Sequence, residues 1–103
     1  MGYEFTIRLR EADLEAIRSD PRGTNSIDKL LQEIPCYKGM AEEGTRFFYS
    51  TDEAREIRWQ SYIVVQGNRL ELCSFHGADY QCIVPFLLSR LMDLCGHFEI
   101  EDA

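Results

Sequence analysis

Residues Ile57 to His76, IRWQSYIVVQGNRLELCSFH, hold the reading on which the fold turns. Gly67-Asn68 separates two runs of strand-forming residues and is a two-residue hairpin signal. With the turn there, Gln66 faces Arg69, Val65 faces Leu70, and Ile63 faces Leu72. Continued outward, Ser61 faces Ser74 and Trp59 faces His76. Side chains alternate along a strand, so Val65, Ile63, Ser61 and Trp59 share one face with their partners. The other face takes Gln66 with Arg69, Val64 with Glu71, Tyr62 with Cys73, and Gln60 with Phe75. The first face is apolar near the turn and mixed at the open end.

Upstream, Tyr3, Phe5, Ile7 and Leu9 alternate with Glu4, Thr6, Arg8 and Arg10, which predicts a half-buried first strand. Glu11 to Arg18 changes period and carries early acids, as a short helix does. Residues 19–23 read as a loop. Asn25 or Ser26 can cap a second helix with Ile27, Leu30, Leu31 and Ile34 on one side, and Pro35 ends it. Cys36 to Gly44 is unpatterned and reads as an exposed loop around Glu42-Glu43. Thr45 to Ser50 reads as a second strand. Thr51 to Ala54 reads as a turn or one helical turn, with Ser50 and Glu53 at capping-box spacing.

Downstream, Gly77-Ala78-Asp79 breaks the strand pattern, and a helix follows within residues 79–95. Pro85 removes a backbone donor, so the helix either begins near Ile83 or bends there. Ile83, Val84, Leu87, Leu88, Leu91, Met92, Leu94 and Cys95 cover one half of it, with Phe86 among the polar positions. Gly96 suits a C-cap. His97 to Glu101 alternates again, with Phe98 and Ile100 inward. The expected order is β-α-α-β-β-β-α-β. That is an α+β two-layer sandwich: one domain over residues 1–103, with a mainly antiparallel five-stranded sheet and helices on one face.

Composition narrows the function classes. The chain has 103 residues, 45% hydrophobic and 28% charged, an ordinary globular balance. Its net charge of −7 repels phosphate backbones and anionic membranes and favours basic partners, so neither nucleic acid nor membrane is expected as a ligand. Arg46, Arg55, Arg58 and Arg69 are candidates for a local basic patch on the sheet. Glu4 and Arg8 interrupt the apolar residues near the start, which argues against a secretion signal. Met1-Gly2 with Thr6 fits the loose myristoylation pattern, but Tyr3 onward reads as a strand that must pair. A cytoplasmic location is expected. Cys36, Cys73, Cys82 and Cys95 are then expected as reduced thiols.

Candidate chemistry is sparse. Cys73 and His76 are three apart on a strand and point to opposite faces, which argues against a metal site with Cys82. No cofactor is implied. His97 follows a helix end, where a cation suits the dipole. The acids form no catalytic pair by spacing, and no set of catalytic residues emerges. Phe47, Phe48 and Tyr49 are consecutive, so at least one leaves the core. Together with Tyr62, Val64 and Phe75, such a ring on the second sheet face calls for a cover.

The leading expectation is therefore a non-enzymatic, acidic protein-binding module, homodimeric through that face, with Phe48, Arg58, Tyr62, Val64, Arg69, Phe75 and Phe86 as interface candidates. Its basic partner could be a toxin or enzyme that it inhibits in the manner of an immunity protein. One alternative is a small enzyme or small-molecule-binding protein with a pocket at the open end of the hairpin, lined by Trp59, Ser61, Ser74 and His76. Another is a structural subunit of a larger assembly.

Overall fold

The computed structural model describes residues 3–19, 26–95 and 97–102. Six strands and three helices follow one another: β1 (Tyr3–Leu9), α1 (Glu11–Arg18), α2 (Ile27–Glu33), β2 (Tyr37–Met40), β3 (Arg46–Tyr49), β4 (Ser61–Gln66), β5 (Arg69–Ser74), α3 (Gly77–Leu94) and β6 (Phe98–Asp102). The strands form one antiparallel sheet in the order β2-β3-β4-β5-β1-β6. The architecture is the expected α+β sandwich, with six strands in place of five. The additional strand is β2, in the stretch read as a loop. Four residues are too few to display an alternation, Gly39 interrupts it, and the register shifts between Tyr37 and Gly39.

The β4–β5 hairpin has the expected register, from Gln66 opposite Arg69 to Tyr62 opposite Cys73. Gly67 turns with a φ of 59°, and no residue other than glycine has a positive φ among those described. That is the pattern of a II′ turn, with glycine first. Asn68 also docks the turn onto β1: its side-chain amide donates to the Leu9 carbonyl at 2.8 Å, and its own carbonyl accepts from the Leu9 N–H at 2.8 Å. The hairpin is shorter than read, however. Residues Ile57–Trp59 wind into a 3-10 turn and His76 becomes the N-cap of α3, so Trp59 does not pair with His76, nor Gln60 with Phe75.

All three helices lie on one side of the sheet. Phe5, Ile7, Leu9, Phe47, Tyr49, Ile63, Leu70 and Leu72 form a single buried cluster with Leu14 and Ile17 of α1, Leu30 and Leu31 of α2, and Ile83, Leu87 and Leu91 of α3. Ser26 caps α2 by accepting from the Lys29 N–H at 3.1 Å. Tyr49 fixes the same helix to the sheet: its hydroxyl donates to the Leu31 carbonyl at 2.7 Å in the core. Residues 20–23 of the loop read at 19–23, the cap candidate Asn25 and the Gly96 cap lie outside the described residues.

α3 does not start near Ile83. It begins at Gly77 and runs on through Pro85. The carbonyl deprived of a donor by Pro85 belongs to Gln81, four residues earlier. Gln81 is exposed, so water can serve it. Met92, placed on the apolar stripe by its angle, is 70% exposed, whereas Phe86 is half-buried against the core. Ser50 and Glu53 make no capping box; the Ser50 hydroxyl closes a turn by donating to the Asp52 carbonyl at 2.7 Å and accepting from its N–H at 3.1 Å. On the edge strand β6, Phe98 is half-buried and Ile100 is half-exposed.

A helix continuous across Pro85 should bury Leu87 as deeply as Ile83. Leu87→Ala is expected to cost about 2–5 kcal/mol by urea unfolding, and Met92→Ala within about 0.5 kcal/mol of nothing. Equal effects would place the helix on the wrong face.

Candidate functional site

Ser61 and Ser74, read as the polar end of a pocket, are wholly buried, and what they face is Asp79. Asp79 sits in the first turn of α3, where an acid complements the helix dipole. Its carboxylate is enclosed and fully engaged. One oxygen accepts from the Thr51 N–H at 2.9 Å and the Thr51 hydroxyl at 2.8 Å. The other accepts from the Ser61 hydroxyl at 2.7 Å and pairs with the Arg55 guanidinium. Ser74 shares its proton between Ser61 Oγ, 3.1 Å away, and the His76 carbonyl at 3.0 Å. Burial pushes the Asp79 carboxyl up, but the donors from Ser61, Thr51 and Arg55 outweigh it and hold it below the usual carboxylate range. Such a saturated carboxylate has no lone pair left for a substrate. It ties the connection after β3 to the start of α3 and to β4.

The other two pocket candidates are elsewhere. Trp59 is 54% exposed on the 3-10 turn, with the Arg58 guanidinium 5.7 Å over its ring. The His76 side chain is exposed and makes no cap bond to α3. The four residues therefore line no common cavity.

The opposite face of the sheet is a different surface. Alternation places Arg46 and Phe48 of β3, Tyr62, Val64 and Gln66 of β4, Arg69, Glu71 and Cys73 of β5, Glu4, Thr6 and Arg8 of β1, and Glu99 and Glu101 of β6 on it. Phe75, just beyond β5, joins them: its ring packs edge-on against Tyr62, with centroids 6.2 Å apart. Phe48, Tyr62, Val64 and Phe75 are each only half-buried. The Arg46 guanidinium lies 4.9 Å over the Tyr62 ring, a cation–π contact that holds both in place. The Cys73 thiol donates to Glu4 at 3.5 Å. Burial is the main cause that pushes this thiol up, which keeps it protonated and a poor nucleophile. A shallow cleft of about 330 Å³ runs between Arg46, Tyr62, Val64, Glu71, Thr6 and Glu4.

Of the interface candidates, Phe48, Tyr62, Val64 and Phe75 are brought together on this face, with Arg69 at its turn end. Arg58 is not; it is exposed on the 3-10 turn and paired with Glu56 at 2.7 Å. Phe86 is not; it packs against the helical side. Of the four arginines read as a patch, Arg55 is the partner of Asp79. Asp79, Thr51 and Arg55 escaped sequence reasoning because they come together through tertiary contacts alone. One signal was available: a carboxylate three residues after His76, beside a buried serine pair, needs partners. All four cysteines are free, and no cluster of three or more His, Cys, Asp or Glu side chains converges among the described residues. No helix among them is long and apolar enough to cross a membrane. Comparison with protein-family models, curated proteins and solved structures gives no match.

Asp79→Ala strands a guanidinium whose side chain is only 12% exposed and is expected to cost about 3–5 kcal/mol in chemical unfolding. The wild-type pH profile follows from the lowered carboxyl. Its contribution is complete above the ordinary aspartate value of 3.8 and is lost as pH falls through the lower folded value. Asp79→Asn should remove that part of the acid slope; an unchanged profile would show that another group causes it.

Proposed function

We propose that this chain is a non-enzymatic protein-binding module that buries the open face of its sheet against another protein chain. Its acidic exterior then supplies the charge complement for a basic partner, and inhibition of a basic toxin or enzyme is one concrete form. The observation that carries the reading is the row of Phe48, Tyr62, Val64 and Phe75 on a face turned away from all three helices. Half-buried rings beside an arginine are the residue types that anchor interfaces. The ligand-pocket reading has less support, because Ser61 and Ser74 are spent on Asp79 while Trp59 and His76 lie outside.

Carbene footprinting tests it, with the chain at rising concentration and with the basic proteins encoded beside its gene. Phe48, Tyr62 and Phe75 are expected to lose label when the chain binds itself or a partner. The proposal fails if those three stay fully labelled under every condition in which light scattering detects a complex.

A further inference from the structure

We infer that the occupant of the open sheet face is a second copy of this chain, set face to face about a two-fold axis that runs along β5. The inference rests on the docking role proposed for that face and names what fills it. The first ground is charge. The face carries three arginines (Arg8, Arg46, Arg69) against four glutamates (Glu4, Glu71, Glu99, Glu101), a net of one negative charge, although the whole chain carries −7. A strongly basic partner is drawn to the remaining surface, whereas a like copy is repelled only weakly here.

The second ground is the arrangement of those charges. A single rung crosses the face as Arg46, Val64, Glu71, Thr6 and Glu101, from β3 to β6. Its two ends are of opposite sign, although Glu101 also pairs with Arg8 of its own sheet at 3.1 Å, so that Arg46 of a second copy would join an existing pair. A two-fold parallel to the strands and over β5 lays the β3 end of one copy on the β6 end of the other. Arg46 then meets Glu101 twice, once on each side, and Tyr62 lies over Glu4 of the second copy. This is the self-complementarity that an isologous interface requires. Glu71, on the axis strand, meets its own copy and is the one unfavourable contact of the rung. Arg69 stands at the exposed turn end and can turn its head to water.

The third ground is the poverty of the edges. β6 pairing with a second β6 would set glutamates against glutamates, and β2 is four residues long, broken by a register shift and carries exposed Lys38. Both are devices that discourage edge-to-edge pairing. The face itself, five strands about 4.8 Å apart and some six residues long, measures roughly 20 × 20 Å. That is less than the roughly 800 Å² per partner of a standard interface, so the dimer is expected to exchange with monomer in the micromolar range.

Light scattering and sedimentation from about 1 µM to 1 mM test this, with far-UV circular dichroism confirming that each variant is folded. Wild type should move from 12.0 kDa toward twice that mass. Arg46→Glu and Glu101→Arg should each weaken the dimer about tenfold, and Glu71→Gln should tighten it. The decisive arm mixes Arg46→Glu with Glu101→Arg. In the mixed dimer both contacts are again between opposite charges, so association should return to the wild-type level. A monomer at every concentration overturns the inference, as does a dimer indifferent to these substitutions or a mixture that fails to recover. Protection of Tyr62 by a different protein, without self-association, would overturn the second copy while leaving the docking reading intact.

Discussion

The two residues at the tip of the β4–β5 hairpin determine which side chains meet across the sheet. Gly67 accepts the positive φ, Asn68 follows it, and the strands leave in a register that puts Ile63 against Leu72 and Tyr62 against Cys73. A slip of one residue would exchange the faces of a strand and send its aliphatic set into water. β1 inherits the same parity because Asn68 is bonded to Leu9 through both its side chain and its carbonyl. The helices then have a single apolar layer to cover. Because they all settle on it, the rings of opposite parity are left in the open.

Asp79 plays a different part in the same scheme. The aliphatic cluster holds the layers together without direction, while the carboxylate fixes where the long connection between β3 and β4 must lie. Removing an ionised group from water is costly, and four donors are needed to offset it. Thr51 and Arg55 of that connection, with Ser61 at the start of β4, supply them. Among the described residues no buried side-chain nitrogen or oxygen is left without a partner.

What was legible in the sequence followed periodicity and turn chemistry. β1, β4, β5, β6 and the apolar side of α3 announce themselves by spacing, and the hairpin register follows from one glycine. β2 was illegible because its pairing rests on β3, with too few side chains of its own to show a period. The extent of the hairpin was misread because Trp59 and Gln60 are good strand residues locally, yet the chain must turn there to bring Thr51 and Arg55 to Asp79. Of the two outcomes Pro85 allows, a later start is excluded: packing of Ile83, Leu87 and Leu91 on one face outweighs one missing hydrogen bond on the wet side. The open face was legible as a set of residues. Arg58 and Phe86 share with that set only their residue type: strand and helix angles do not tell which interface candidates a tertiary fold brings together.

The enclosed carboxylate also sets a rule for anyone rebuilding this scaffold. Surface connections normally accept foreign segments with little penalty. The one spanning residues 50–60 does not qualify, since exchanging it discards Thr51 and Arg55 and abandons a negative charge in the interior. The beginning of the longest helix and that connection are a single replaceable cassette: they travel together into a chimera, or position 79 has to become uncharged at the same time.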